Sequence, residues 1–561
     1  MQLIYFASAV LQASRQMHLY GLLLGLAVMV MVDLAERGRM ARAVMRAQVA
    51  AIVALATVAL GLFVVAIARY NGHPALLDTL EAAVASISWE SNAHHFIYDR
   101  DPTTRVVAIS YGPVGFRLYG LAQAITGSVI MAPKALAAGG ALVGIALLAV
   151  AAVRTAGVLV GGIIATLVAT TIASGGPYFA MVLTDPLLLL GAGIALALIT
   201  ASRRRGVAAV AFAVCSAVAM IKPHVGLAIW TVALVLYAGR VPMREAIVTA
   251  CVGAAAGFAL VFLLMPAESM GFVKILLTNG KQNRIPSTTL WDNIALVGIP
   301  LLICAAMELR LRAGDGWMRW IGLLPLGGLA AATYVGSVGV NDNTGILVIC
   351  LCLVWSADLW RRGGEASRLY LRRASVLLAA GLVPMFIGRG PSMLWQTRGD
   401  KQESARWIAE GQSMIATFGG RVAVGIGDNA QGGWWARIHA PHMFAAGASN
   451  LIEFEALTIW RYLGEPSADY RPLLTSAAVD GWLLPARAHP FELSSMYPNA
   501  PPLIEPPERA AFTREFQLVC EGAKWGLWMH RARTIPDLRE KCARAGGVVP
   551  IPPPSPALPP A

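Results

Sequence analysis

The chain has 561 residues, of which 57% are hydrophobic and only 14% charged, a balance that excludes an ordinary water-soluble domain and belongs to a protein solvated largely by lipid. Its formal net charge of +13 does not describe a nucleic-acid binder, because the Arg residues come in small groups at the ends of apolar segments and not in one basic patch. The expected class is mainly α: a polytopic transmembrane helical bundle of about 12 spans, followed by a small C-terminal α/β extracytoplasmic domain.

Residues 2–12 are apolar but lack the basic start of a cleavable signal, so the longer run 17–32 reads as a first membrane helix. Further spans are expected near 48–69, 133–153, 156–174, 186–201, 207–221, 225–238, 246–264, 291–308, 318–337, 344–358 and 374–388. Arg37, Arg39, Arg42 and Arg46 place the first connection on the cytoplasmic side, so the next helix delivers residues 71–113 to the external face. One alternation per helix then puts the Arg203-Arg204-Arg205 triplet and the Arg361 to Arg373 cluster inside, leaving plain Arg clusters there. This requires 114–130 to be a helix lying along the outer surface, as Arg117, Tyr119 and Gln123 within its apolar run indicate.

From residue 391 the composition becomes that of a soluble domain. Helical spacing over 403–418 and 451–462 and short strands at 421–426 and 478–484 predict an α/β module ending near residue 547. The Pro-rich tail 548–561 is expected to be disordered. The membrane domain is thus 1–390, with 71–113 as its external catalytic loop. Cys520 and Cys542 share an oxidising compartment by this topology and are expected to form a disulfide; the alternative is two separate thiols. No Cys spacing resembles a metal site, so no metal ligands are assigned.

The 71–113 stretch is the chemical centre, because a long polar loop rich in aromatic and His residues between apolar spans is usually functional. Glu81, just beyond the outer end of a membrane helix, is the first choice for a catalytic base, and Asp78 shares its face if 76–86 is helical. The competing reading is that either carboxylate only caps a helix. Asp185 in Thr184-Asp185-Pro186 is a natural helix start that the topology places on the same face. Lys134, Lys222, His224, Lys281 and Arg284 hold positive charge outside against the usual inside bias, which a phosphate ligand would explain and lipid headgroups would also explain. Asn341 and Asn343 either bind sugar hydroxyls or cap the next helix.

These residues, in order, resemble the GT-C superfamily of membrane glycosyltransferases, which includes protein O-mannosyltransferases and bacterial lipid A aminoarabinose transferases. The elements that carry the resemblance are Glu81, Ile97-Tyr98, Tyr111-Gly112-Pro113, Thr184-Asp185-Pro186 and Lys222-Pro223, with Lys134 at the basic position that often opens the next span. It covers roughly residues 48–390, with Tyr98 and Tyr111 among the binding positions. The family's first motif is often an adjacent Asp-Glu pair, whereas here two residues separate Asp78 from Glu81, which leaves both open as the base.

The resemblance implies inverting transfer of a sugar from a polyprenyl-phosphate carrier to an extracytoplasmic acceptor at the cytoplasmic membrane, in contact with membrane lipids. Some relatives use a divalent cation and others do not, so this cofactor stays open. The rival reading is a transporter or flippase of lipid-linked glycans, which would place ionisable residues near the bilayer midplane, where these spans have few.

Overall fold

The computed structural model describes residues 41–365, 368 and 400–550, apart from 94, 108, 176, 280–286, 312–322, 337–342, 429–432, 463–467, 477 and 494–501. The expected spans 17–34 and 374–388, and most of the Pro-rich tail, lie outside the described residues. The chain divides into two compact units: Met1–Gly72, Tyr111–Leu118 and Lys134–Gly399 form the first, and His73–Ser110, Tyr119–Pro133 and Asp400–Ala561 the second.

The first unit is built from apolar helices. Every expected span from 48–69 to 344–358 falls on one of them: Ala41–Asn71, Met131–Ser174, Asp185–Ala201, Arg205–Ala219, Pro223–Ala238, Met243–Leu264, Ser287–Leu311, Leu324–Gly336 and Asn343–Arg362. The expected spans 133–153 and 156–174 are the two arms of Met131–Ser174, which reverses at Gly157, where φ is +83° and only glycine sits without strain.

Among the described residues three helices are long and apolar enough to cross a membrane, Met131–Ser174, Met243–Leu264 and Thr344–Arg362, and four shorter helical stretches are also apolar. Val158, Leu263, Leu264 and Leu302 are 82, 78, 68 and 67% exposed. Water would penalise so much outward-facing apolar surface and lipid would not. The first unit is a membrane bundle.

At one end of the bundle the expected plain Arg cluster is instead an ion-pair network. Arg362 bonds the fully buried Glu308 (2.6 Å) and Asp358 (2.7 Å), and Arg361 also reaches Asp358 (2.6 Å). The Trp355 indole donates to Glu308 at 3.3 Å. Two carboxylates in the last turns of neighbouring helices neutralise those arginines, and the network sits at helix ends, away from the middle of the apolar stretches.

The second unit carries a four-stranded sheet in the order β3-β4-β6-β5, made of Val422–Val424, Gly481–Pro485, Trp525–His530 and Phe516–Glu521. Strands β3 and β4 are parallel and the other pairings antiparallel. The expected 421–426 and 478–484 strands are β3 and β4. The expected 403–418 and 451–462 helices are Lys401–Phe418 and Phe454–Tyr462.

The 71–113 stretch belongs mostly to this unit and not to the 1–390 domain expected for it. It supplies the buried helix Thr79–Asn92 and a two-stranded hairpin, β1 (Arg100–Asp101) with β2 (Arg105–Val106). Val106 pairs with the extended residues 451–453: its N–H donates to the Leu451 carbonyl (2.8 Å), and its carbonyl accepts from Glu453 N–H (2.7 Å). Arg100 stacks over Trp460 at 3.7 Å, and Glu90 holds Arg105 at 2.6 Å.

The expected surface helix is Pro113–Thr126, 14 residues long and therefore too short to span a bilayer. Its exposed Leu118, Leu121 and Ile125 form one stripe at helical spacing. On the opposite face, the Gln123 amide donates to the carbonyls of Ala85 and Val129, both at 3.0 Å.

Cys520 of β5 and Cys542 of the Leu538–Arg544 helix form the expected disulfide, with a Cα separation of 5.5 Å. It closes a loop of 22 residues in sequence separation, for which chain entropy predicts ~3 kcal/mol. The pair Cys520→Ala/Cys542→Ala should melt several degrees lower than the parent, and a non-reducing peptide map of membrane-derived protein should recover residues 520 and 542 as one linked fragment.

Candidate functional site

In the second unit the helix Thr79–Asn92 starts with both expected carboxylates in a capping box. Asp78 is the N-cap, and its Oδ1 accepts from Leu80 N–H at 2.8 Å. Glu81 reaches back, its Oε2 accepting from the N–H groups of Leu77 (3.0 Å) and Asp78 (3.1 Å). The pattern Asp-x-x-Glu ahead of an apolar run produces this reciprocal arrangement, since each side chain satisfies a backbone donor that the helix start leaves orphaned.

The two carboxylates differ in access: Glu81 is fully buried, whereas Asp78 keeps partial exposure. Burial pushes the Asp78 pKa above the usual range against the pull of Leu80 N–H, with Glu455 raising it further and Arg437 opposing. Tyr98, also in this unit, is buried, its ring edge-on to Phe96 at 6.1 Å.

In the first unit, three segments meet around Lys222. Its ammonium lies 3.3 Å from Asp185 Oδ1 and 5.2 Å from the centre of the Tyr111 ring. Lys222 is the N-cap residue of Pro223–Ala238 and Asp185 opens Asp185–Ala201, so the ion pair joins two helix N-termini. Both have Pro in the first turn and neither has a side-chain cap. The capping alternative for Asp185 therefore gives way to an ion pair.

Two further polar atoms in these turns, Thr184 Oγ1 and His224 Nε2, are buried without a hydrogen-bond partner among the described residues. The positive ends of two helix dipoles and an ammonium meet here, with the Asp185 carboxylate as their resident counter-charge, and a stronger anion would compete with that carboxylate for Lys222.

Tyr111 is brought there by Gly112. The Gly112 N–H donates to the Ile221 carbonyl at 3.0 Å, and a Cβ at residue 112 would lie 1.8 Å from the Met220 oxygen. Only glycine allows the two backbones to approach this closely.

Lys134 is not a surface cation. It is fully buried, bonded to the Tyr70 carbonyl (3.0 Å) and set 4.3 Å over that ring, whose hydroxyl accepts from Val182 N–H (3.2 Å). The ammonium thus ties the end of Ala41–Asn71 to the turn before Asp185. Lys281, Arg284 and Asn341 lie outside the described residues, and Asn343 is the first residue of its helix, its side chain undescribed. Among the described residues no group of three His, Cys, Asp or Glu side chains converges to hold a metal ion.

The second unit also gathers residues that sequence reasoning did not single out. Glu455 accepts from the Thr79 hydroxyl at 3.0 Å and forms a buried ion pair with Arg437. Beside it, burial raises Glu453 to about 7, with Arg437 holding it down. In sequence, Glu453 and Glu455 look like acidic residues at a helix start. Their convergence on Thr79 depends on a contact between residues 376 apart, which no local pattern announces.

Gly112→Ala should lower stability by roughly 1–3 kcal/mol through the forced displacement of the 220–222 turn. The helical control Gly139→Ala, where an added Cβ meets nothing within 4 Å, should be neutral or stabilising; thermal melts of both variants check this. Glu453 binds its proton more tightly folded than unfolded, so its contribution is complete below pH 4.5 and is lost as pH rises to about 7. Glu453→Gln should therefore raise the melting temperature at pH 8 relative to the parent and change it little at pH 4.5, as melts across that range would report.

No protein-family model and no curated protein matches this sequence. Among solved structures, the chain is similar to ArnT from Cupriavidus metallidurans bound to undecaprenyl phosphate, at 16% identity over 87% of this chain and 98% of that one, with a TM-score of 0.49. The apo state of the same protein gives 15% identity, 86% and 98% coverage, and a TM-score of 0.47. It is also similar to the archaeal oligosaccharyltransferase AglB from Archaeoglobus fulgidus, in complex with an inhibitory peptide and a dolichol-phosphate. There the identity is 11%, over 76% of this chain and 69% of that one, with a TM-score of 0.41.

Proposed function

We propose that the protein is an integral membrane glycosyltransferase of the GT-C kind. It moves a sugar from a polyprenyl-phosphate carrier to an extracytoplasmic acceptor, whether envelope glycan, lipid or protein, with inversion at the anomeric carbon. The observation that carries this reading is the junction around Lys222, where an ammonium held by Asp185 and two helix N-termini without side-chain caps lie at the ends of apolar helices. That is the chemistry a lipid-borne phosphate requires. The disulfide supports an oxidising compartment for the second unit, and hence its extracytoplasmic placement.

In the reaction the bond between the sugar C1 and the phosphate oxygen breaks as the acceptor oxygen bonds to C1. The acceptor proton passes to a carboxylate, and the electron pair leaves with the lipid phosphate. Lys222 and the helix N-termini stabilise the negative charge on the departing phosphate.

Within the second unit Asp78 is assigned as the base, since it combines partial exposure with a raised pKa. Glu81 is the positioning residue that holds the Asp78 N–H and so fixes the turn.

The test is transfer from a radiolabelled polyprenyl-phosphate sugar by the purified full chain. Lys222→Ala should weaken turnover on the donor by roughly 10- to 100-fold, the worth of a charge-assisted contact. Asp78→Asn keeps the cap but loses the base and should abolish transfer, whereas Glu81→Gln preserves the capping box and should retain most of it. Glu81→Ala should lose activity and stability together. A dead Glu81→Gln beside an active Asp78→Asn would return the base to Glu81, and an unaltered Lys222→Ala would remove the phosphate assignment.

A further inference from the structure

A small cavity in the second unit lies between the helices Thr79–Asn92 and Gly433–Ala445 and the start of Phe454–Tyr462. Phe444 and Phe454 give it apolar walls, and Thr79, Arg437, Asn450 and Glu453 line its polar side. Asn450 is 3% exposed, yet its amide oxygen reaches no hydrogen-bond partner among the described residues, and its amide nitrogen acts only toward the Glu453 carboxyl, whose rise it moderates as a donor.

A buried amide in this condition is costly, and relaxation of the chain would ordinarily remove it. Here the backbone prevents that. Ser449 is bridged to Ala423, Ile452 is bridged to Val106, and the Asn450 carbonyl itself accepts from Arg105 Nε at 2.9 Å. The side chain is therefore held toward the cavity by pairing on both sides of it.

Glu453 is fixed in the same way. Its N–H donates to Val106, and its Oε1 accepts from Glu455 N–H at 3.1 Å. The cavity thus presents one amide donor, one amide acceptor and a carboxyl acceptor, pre-positioned against apolar walls. Its size admits a hydroxyl or hydroxymethyl group and not a whole sugar ring.

We propose that this cavity is a carbohydrate subsite, in which the Asn450 amide and the Glu453 carboxyl together hydrogen-bond one hydroxyl or hydroxymethyl group of the donor sugar or of a glycan acceptor. The inference rests on the glycosyltransferase reading for the identity of its ligand. A metal is the weaker occupant, since the described acidic and His side chains make no metal-ligating group there. Neutral hydroxyls match an amide that offers both hydrogen-bonding senses.

The experiment uses the full chain in lipid nanodiscs, with free glucose, galactose, mannose and arabinose as probes, and compares the parent with Asn450→Leu. Leucine keeps the same γ-branched shape without polar atoms, and its methyl groups extend into the small cavity, so the unliganded melting temperature should be unchanged or raised. At least one sugar should raise the melting temperature of the parent, and the concentration needed for the same shift should rise about ten-fold in Asn450→Leu, the worth of one or two neutral hydrogen bonds. In the transfer assay the variant should raise one KM. A rise for the acceptor identifies its hydroxyl as the occupant, and a rise for the lipid-linked donor identifies the transferred sugar.

The proposal is overturned if no sugar shifts the parent, if Asn450→Leu keeps the full shift, or if the variant loses stability with both KM values unmoved. Transfer by the parent with no saccharide effect sinks the subsite alone. Saccharide binding without transfer sinks the glycosyltransferase reading alone.

Discussion

The second unit depends on the pairing of Val106 with residues 451–453. Two short backbone hydrogen bonds join a hairpin from the region between two apolar helices to a segment more than three hundred residues later. Around that seam the Arg100–Trp460 stack, the Glu90–Arg105 ion pair and the Thr79–Glu455–Arg437 chain follow as consequences of register. Val106 and Ile452 also enter the core that holds Trp482, Phe491 and Phe512 edge-to-face. Backbone pairing and apolar burial therefore act on the same residues, and polar groups such as Asn450 and Glu453 take up positions that the side chains alone would not choose.

Much of the first unit was legible because lipid imposes a severe condition on composition: each apolar run of sufficient length had to become a helix. The start of Asp185–Ala201 was readable from Thr184-Asp185-Pro186 for the same local reason that makes Pro a good first-turn residue. What Asp185 does there was not readable. Its partner is Lys222, and the third member, Tyr111, arrives only because Gly112 lets two backbones touch. The Asp-x-x-Glu spacing did contain the capping box, and the structure puts the two carboxylates in that box before any chemistry is asked of them.

The arginines expected on the inner face were misread as a plain cluster for an instructive reason. Arg361 and Arg362 lie three and four residues after Asp358, a spacing that places them on one helix face. Glu308 lies in the last turns of Ser287–Leu311, after the apolar run 294–307. Topological bias explains why arginines gather at such ends, and it leaves open whether they are solvated or paired. Pairing with two buried carboxylates gives the network a fixed geometry where a lipid-facing cluster would have none.

The interleaved build of the second unit also governs how the protein is made. Thr79 and Glu455 are 376 residues apart in the chain. At ribosomal speeds their partnership must wait on the order of 20 to 75 s after the early segment emerges. Through that interval the helix Thr79–Asn92, whose residues are almost all buried in the finished protein, has no sheet or core to cover it. The membrane helices made in between act as a timed spacer, and the early segment must be shielded from aggregation and proteolysis until residues 400–550 have been made. A late truncation would therefore strip cover from a segment near the N-terminus.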